Sequence, residues 1–247
     1  MILEILRTQG SVSVGAVEEG FGVSPMTARR DLAILAENGY ARRTHGGAVL
    51  PELAGHEDSF QSRLEQGVEV KVRLARAVAE TLNPHETVFV DSSSSAYYIV
   101  REIVESGMPI TLLTNSLPVI TIVGGANVPH VEMIGLGGTF RRLTRSFVGA
   151  ETVQMIERFF ADRVVFSVKG IEQEGLLTDP DPLEAEVKRA MIGRARTVQL
   201  VADARKFGER GLNVVVTADA VDEAYLADAA PAAQKLFAAA GADVHVV

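Results

Sequence analysis

The stretch Val23-Ser24-Pro25-Met26-Thr27-Ala28-Arg29-Arg30-Asp31-Leu32 decides how the amino-terminal part of the chain folds. A hydroxyl residue followed by proline is a strong helix start. Ser24 can accept from the first free N–H groups, and Pro25 lacks only a donor that the first turn leaves unpaired. The helix runs on through Ala33-Ile34-Leu35 and stops near Asn38-Gly39. Ala28, Leu32 and Leu35 form its inward stripe, which leaves Ser24, Met26, Thr27, Arg29 and Arg30 at its front and outer surface. Upstream, Ile2, Leu3, Ile5 and Leu6 share one helical face that ends at Gly10. Ser13 can cap a second helix carrying Val14, Val17 and Phe21, and Gly22 breaks it. Helix, helix, short turn and a third helix with polar residues at its front is the helix-turn-helix layout, whose last helix faces base edges. Downstream, the runs on either side of Gly46-Gly47 read as a hairpin, with glycine supplying positive φ. A hairpin behind a recognition helix is a wing, and it would hold Arg42, Arg43 and His45 near the DNA backbone or minor groove.

Such a module is unexpected in a chain of net charge −8, because duplex DNA is bound by displacing cations from its phosphates. The charge is unevenly placed. Residues 1–50 hold five Arg and five carboxylates, whereas the remainder holds 19 basic and 27 acidic residues and thus all of the −8. A neutral, arginine-paired module joined to an acidic one fits two tasks on one chain. The length, 247 residues, allows two unequal domains at roughly 100–200 residues each. A hydrophobic share of 47% with 23% charged residues argues for a packed globular protein rather than a disordered one. With no Cys, disulfides, thiolate catalysis and cysteine-ligated metals are excluded. Glu4 interrupts the first apolar run, which is too short for a secretory signal, and no run approaches about 18 apolar residues. The expectation is a cytoplasmic chain with no membrane contact, no cofactor and no metal.

The organisation expected is a winged helix-turn-helix over 1–50, a linker over 51–67 with a short helix near Ser59–Glu65, and a larger domain over 68–247. In that domain Val68–Leu82 reads as an amphipathic helix. Strands are expected at Thr87–Val90, Ile110–Leu113, Val131–Ile134, Val164–Val168, Val198–Val201 and Val214–Val216. Helical segments such as Ala96–Glu105, Ala150–Phe159 and Leu183–Ala195 lie between several of them. Alternation of this kind predicts a mostly parallel α/β sheet covered on both faces, with ligands bound outside the carboxyl ends of its strands.

Those ends carry the candidate ligand residues. Asp91-Ser92-Ser93-Ser94-Ser95 follows a buried strand and opens a helix, presenting N–H groups, hydroxyls and a helix dipole to an anion. Thr114-Asn115 follows the next strand. Gly137-Gly138 could let a ligand approach closely, although the spacing does not make a dinucleotide-binding fingerprint. Asp203…Lys206 places a cation after a strand-end carboxylate, where a phosphate could sit.

Val23 through Leu32, followed at the expected spacing by Arg43-Thr44-His45-Gly46-Gly47-Ala48, resembles the amino-terminal signature of DeoR-type transcription regulators. The later series Asp91 with its serines, Thr114-Asn115, Gly137-Gly138, Gly170, Glu186-x-Lys188 and Asp203…Lys206 resembles the sensor domain of that family. The resemblance implies a small winged helix-turn-helix followed by an α/β domain similar in fold to sugar-phosphate isomerases. It implies double-stranded operator DNA and a phosphorylated sugar effector as partners, and repression of a carbohydrate-use operon. Through two-fold operator symmetry, a homodimer or higher homo-oligomer is also expected. The serine loop and Lys206 would hold phosphate, with Asp91 and Asn115 nearer the sugar hydroxyls. The chain departs from the family in three places. Ser93-Ser94-Ser95 replaces a usual Gly-Thr-Thr, Arg205 replaces a usual Ser, and fewer residues precede Ile2, so the first helix is expected to be short: either the native start lies upstream of Met1, or this module is less well packed than its relatives.

A competing reading is an active sugar-phosphate isomerase or deaminase with an accessory DNA module. It needs a placed acid–base pair. Glu184 and Glu186 lie two apart, do not share a helical face, and read as surface charges. No HExxH, GxSxG or P-loop pattern occurs. A redox or nucleotide sensor is disfavoured by the absence of Cys and of the glycine fingerprint.

Overall fold

The structure is a computed structural model that describes residues 2–9, 11–38, 40–44, 46–49 and 58–247. The chain divides into two compact units, Met1–Gln66 and Gly67–Val247. The first unit contains α1 (Ile2–Gln9), β1 (Ser11–Ser13), α2 (Val14–Phe21), α3 (Pro25–Glu37), β2 (Arg42–Thr44), β3 (Gly47–Val49) and α4 (Phe60–Glu65). It therefore extends to α4, inside the stretch that reads as a linker in the sequence.

Local chemistry sets the helix ends. Ser13 Oγ accepts from Ala16 N at 3.0 Å and Ser24 Oγ accepts from Thr27 N at 3.2 Å, each satisfying a donor that the helix itself cannot. Gly22, at φ 65°, ends α2 and donates to the Glu18 carbonyl. The inward residues Leu6, Val17, Ala28, Leu32 and Ala48 are buried together. The wing has three strands in the order β1-β3-β2, all antiparallel. Gly47 does not sit in the left-handed region. Its role is close approach, because a Cβ there would overlap the Val12 carbonyl oxygen of β1. An open apolar cleft of about 470 Å³ lies on this unit, lined by Ile2, Leu3, Phe21 and Ile34 among others.

The second unit begins with α5 (Val68–Ala79), β4 (Thr87–Val90), α6 (Ser94–Ser106), β5 (Ile110–Thr114), α7 (Leu117–Gly125) and β6 (Val131–Gly135). A hairpin of β7 (Thr139–Arg141) and β8 (Ser146–Val148) follows, then α8 (Ala150–Ile156), β9 (Ala161–Phe166), β10 (Gly170–Ile171), β11 (Leu176–Asp179) and α9 (Pro182–Ile192). The chain closes with β12 (Ala195–Asp203), β13 (Asn213–Thr217), β14 (Glu223–Ala227), α10 (Pro231–Ala240) and β15 (Asp243–Val246). Seven strands form one parallel sheet in the order β15-β14-β12-β9-β4-β5-β6. Val88, Phe89, Val90, Val164, Val165 and Phe166 are buried on both faces, as strands covered by helices on each side must be. β13 is not in this sheet. It pairs antiparallel with β11 in a small sheet ordered β10-β11-β13, whereas β14 and β15 extend the large one.

The strand order decides where a ligand can bind. Starting from β4, the chain winds outward through β5 and β6, then returns to lay β9, β12, β14 and β15 on the other side. Right-handed crossovers put α6 and α7 on one face and α9 and α10 on the other. The connections leaving β4 and β9 thus diverge, opening a crevice at their carboxyl ends.

The segment after that crevice is closely packed. A Cβ on Gly170 would overlap the Glu209 carbonyl, backbone that cannot swing aside as a side chain would. Gly170→Ala is expected to destabilise the second unit by about 1–3 kcal/mol. A urea titration followed by circular dichroism would show the lowered midpoint.

Candidate functional site

Two surfaces collect the chemistry, one in each unit. On the first, α3 projects Ser24, Met26, Arg29 and Arg30 to solvent, while Thr27 is half-buried. Ser24 Oγ and Thr27 Oγ1 lie 2.9 Å apart, so the two hydroxyls fix the first turn together. Met26 is 76% exposed, a large apolar side chain beside a helix N-terminus, and apolar side chains there can touch a thymine methyl. Arg42 and Arg43 lie on β2, but their side chains, and the whole of His45, fall outside the described residues.

The second surface lies at the switch point between β4 and β9. Asp91 follows β4, and its carboxylate joins the two strand ends: Oδ1 accepts from Ser93 N at 3.0 Å and Oδ2 from Ser167 N at 3.1 Å. Ser93 caps α6 by accepting from Ala96 N at 3.1 Å, so the free N–H groups of a 13-residue helix open here. Ser94 and Ser95 are buried in its first turn. Ser92 Oγ donates to Glu184 at 2.9 Å. One strand over, Thr114 Oγ1 accepts from Ser116 N, and Asn115 Nδ2 donates to the Phe147 carbonyl at 2.9 Å. Asp91, the four serines, Thr114 and Asn115 are thus brought together on adjacent strand ends.

The remaining expected residues fall further out. Lys206 closes a short 3₁₀ turn after β12, beyond β9, and is half-buried. Neighbouring Asp203 is forked by Arg205, with Nε at 2.9 Å and Nη2 at 2.7 Å. Burial works against the Asp203 charge, but the hydrogen bonds from Arg205 and the charges of Arg205 and Lys206 outweigh it and hold the carboxyl below its ordinary value. Gly137 and Gly138 follow β6. Gly137 faces open space, but Gly138, at φ 152°, has an internal reason: a Cβ would overlap Thr152 of α8.

The centre of the cluster is Lys188, whose ammonium is buried. It lies 2.5 Å from Asp179 and 3.4 Å from Asp91, and donates to the Ser167 carbonyl at 2.5 Å. Burial alone would push Lys188 toward neutrality, but the carboxylates of Asp179 and Asp91 reverse this and raise it above its ordinary value. Glu184 corrects the sequence reading. It is buried rather than a surface charge, accepting from Ser92 and from Ser146 Oγ at 2.5 Å, with Arg141 at 3.9 Å. Glu186 is exposed. The missed signal was on α9, where Glu184, Val187, Lys188 and Met191 recur at i, i+3, i+4 and i+7. That puts an acid and a base within the inward stripe.

Removing the ammonium leaves Asp91 and Asp179 buried without their cation. Lys188→Met is therefore expected to destabilise the second unit by about 3–5 kcal/mol, read from urea unfolding. Acid has a separate effect. Because the folded state lowers the Asp203 carboxyl, its stabilisation is complete above its unfolded value of about 3.9 and is lost as pH falls through the lower folded value. The melting temperature should fall below about pH 4, and Asp203→Asn should flatten that fall.

Residues 1–53 match the model of the DeoR-like helix-turn-helix domain, and residues 66–225 match that of the DeoR C terminal sensor domain. The chain is 33% identical over 234 residues to the glycerol-3-phosphate regulon repressor of Escherichia coli K12, covering 93% of this chain and 89% of that protein. It is 29% identical over 231 residues to the transcriptional regulator IolR of Bacillus subtilis, covering 90% of each. Among solved structures, ribose 5-phosphate isomerase A of Neisseria gonorrhoeae superposes with a TM-score of 0.42 at 11% identity, over 57% of this chain and 54% of that one. No helix among the described residues is long and apolar enough to cross a membrane. With family models matching both of its units and a relative aligned along most of its length, the chain belongs to the DeoR family of transcriptional regulators.

Proposed function

We propose that this regulator is a cytoplasmic, operator-binding repressor of a carbohydrate-use operon, released from DNA when its second unit binds a phosphorylated sugar. The observation that carries the reading is the switch-point cluster. The carboxyl ends of β4 and β9 part where a serine-capped helix begins, and the polar side chains there are gathered from four separate segments. A phosphate is suited by the free N–H groups of α6 and by Lys206. Sugar hydroxyls are suited by Asp91 and Asn115. The repressor role is supported by the name of the Escherichia coli relative.

On the DNA side, the α3 N-terminus favours a phosphate. Arg29 and Arg30 supply charge where the chain as a whole repels DNA, and Met26 offers an apolar contact to a base. Arg42, Arg43 and His45 of the wing would reach the flanking backbone. A homodimer places two such helices on the half-sites of a palindrome. Effector binding that favours a dimer arrangement mismatched to the operator needs a coupling of only ~1–3 kcal/mol to change affinity ~5–150-fold.

Binding rather than turnover is supported by how the ionisable groups are engaged. Both Glu184 oxygens already accept from serine hydroxyls, and Lys188 is held by two carboxylates and a carbonyl. Neither is poised to move a proton.

Fluorescence anisotropy of the full chain on DNA from upstream of its own gene tests the reading. Arg29→Ala and Arg30→Ala are each expected to weaken binding by about 1–3 kcal/mol, with the salt slope reduced by about one where the lost contact is to phosphate. A phosphorylated sugar should release the wild-type complex. Unchanged affinity in both variants would remove α3 from the interface, and DNA binding indifferent to every phosphorylated sugar would remove the effector class.

A further inference from the structure

The phosphate end of a sugar phosphate is the same across the class, so selectivity must come from whatever meets the other end. Around Lys188 the structure gathers Asp91 from β4, Asp179 from β11 and Glu184 from α9, all buried, with one buried ammonium among them. Arg141, 3.9 Å from Glu184, is closer to Asp181 at 3.1 Å and is largely engaged there. Taking Asp91, Asp179, Asp181 and Glu184 against Lys188 and Arg141, this end of the cluster is negative by two charges.

A second, independent feature points the same way. Asn115 is fully buried, its Nδ2 is engaged by the Phe147 carbonyl, and its Oδ1 has no hydrogen-bond partner among the described residues. Ser167 is 3% exposed. Its backbone N–H and C=O are held by Asp91 and Lys188, yet its Oγ is likewise unpartnered. Buried polar atoms without partners are costly, and an amide oxygen can only accept. A ligand hydroxyl can meet both, donating to Asn115 Oδ1 and pairing in either sense with the Ser167 hydroxyl, but only the Asn115 oxygen requires a donor. A ligand carboxylate brings none, and it adds a negative charge in a poorly solvated place beside three others.

We propose that this end of the site selects effectors by charge: it admits the phosphate ester of a neutral polyhydroxy compound and rejects the corresponding phosphorylated sugar acid. Glu184 is the specificity-determining residue. Ser92 and Ser146 fix its carboxylate in place, and each oxygen keeps a lone pair that can accept from a ligand hydroxyl. The inference rests on the sugar-phosphate reading above and narrows it to one chemical class.

The test is calorimetric titration of the full chain with matched neutral and acid probes of three lengths. The pairs are glycerol 3-phosphate with 3-phosphoglycerate, ribose 5-phosphate with 5-phosphoribonate, and glucose 6-phosphate with 6-phosphogluconate. In the best-binding pair the neutral member is expected to bind at least about tenfold tighter, near 1.4 kcal/mol. Glu184→Gln should shrink that ratio at least about threefold, a comparison internal to one protein and insensitive to its overall stability. Equal or tighter binding of the acid by the wild-type chain overturns the proposal without any variant, as does an unchanged ratio in a folded Glu184→Gln. If no member of any pair binds, the sugar-phosphate reading fails and this inference fails with it. If acids bind well, the effector reading stands and only the charge rule falls.

Discussion

A fully buried ammonium is the constraint around which the second unit is arranged. Lys188 can stay charged only if carboxylates reach it, and they come from far apart in the chain: Asp91 at the end of β4 and Asp179 at the end of β11. Its remaining donor contact is the Ser167 carbonyl beyond β9. Satisfying one cation therefore ties together the two strands that flank the switch point, the small antiparallel sheet and helix α9. Such a cluster adds little net stability compared with an apolar core, since desolvation opposes the attraction. It does define a single arrangement of the strand ends, and strand ends are where a ligand binds.

The same cluster connects the strand ends to the β7–β8 hairpin. Glu184 accepts from Ser146, Ser146 shares a hydrogen bond with Thr144, and Asn115 exchanges backbone and side-chain bonds with Phe147. A ligand that engages Asn115 or Glu184 acts on groups already bonded to the hairpin. The hairpin carries Phe140, 42% exposed and 5.5 Å from the Phe147 ring. Charge is also divided between the units. The acidity lies outside residues 1–50, so DNA affinity must come from a few placed arginines rather than from the field of the whole chain.

Much of this was legible in the sequence wherever the determinant was local. Ser13 and Ser24-Pro25 mark helix starts through groups three residues apart, and the structure shows those hydrogen bonds. The Val-rich strand β4 and the serines after it were equally plain. What stayed hidden depends on contacts distant in sequence. Ser167 meets Asp91 across 76 residues, which no local pattern records. Glu184 reads as a surface charge until α9 is docked, because helical spacing reports a face and not its environment. β13 has the apolar run of a parallel strand, yet its partner is β11. β14, Glu223–Ala227, has no β-branched residue to announce a strand, whereas β15 alternates Val244 and Val246 and is merely short. Gly138 suggested a ligand contact, whereas its need is a neighbouring threonine.

The proposed effector site, where β4 and β9 part, is open to a direct test. Amide hydrogen exchange of the full chain, with and without saturating ribose 5-phosphate or glucose 6-phosphate, whichever binds, tests it most directly. Slowed exchange is expected at the start of α6, around residues 93–96, and at residues 167–169 and 204–206, all at the carboxyl ends of the sheet. Protection confined to the opposite ends of the strands, or to the α10–β15 edge, would contradict it.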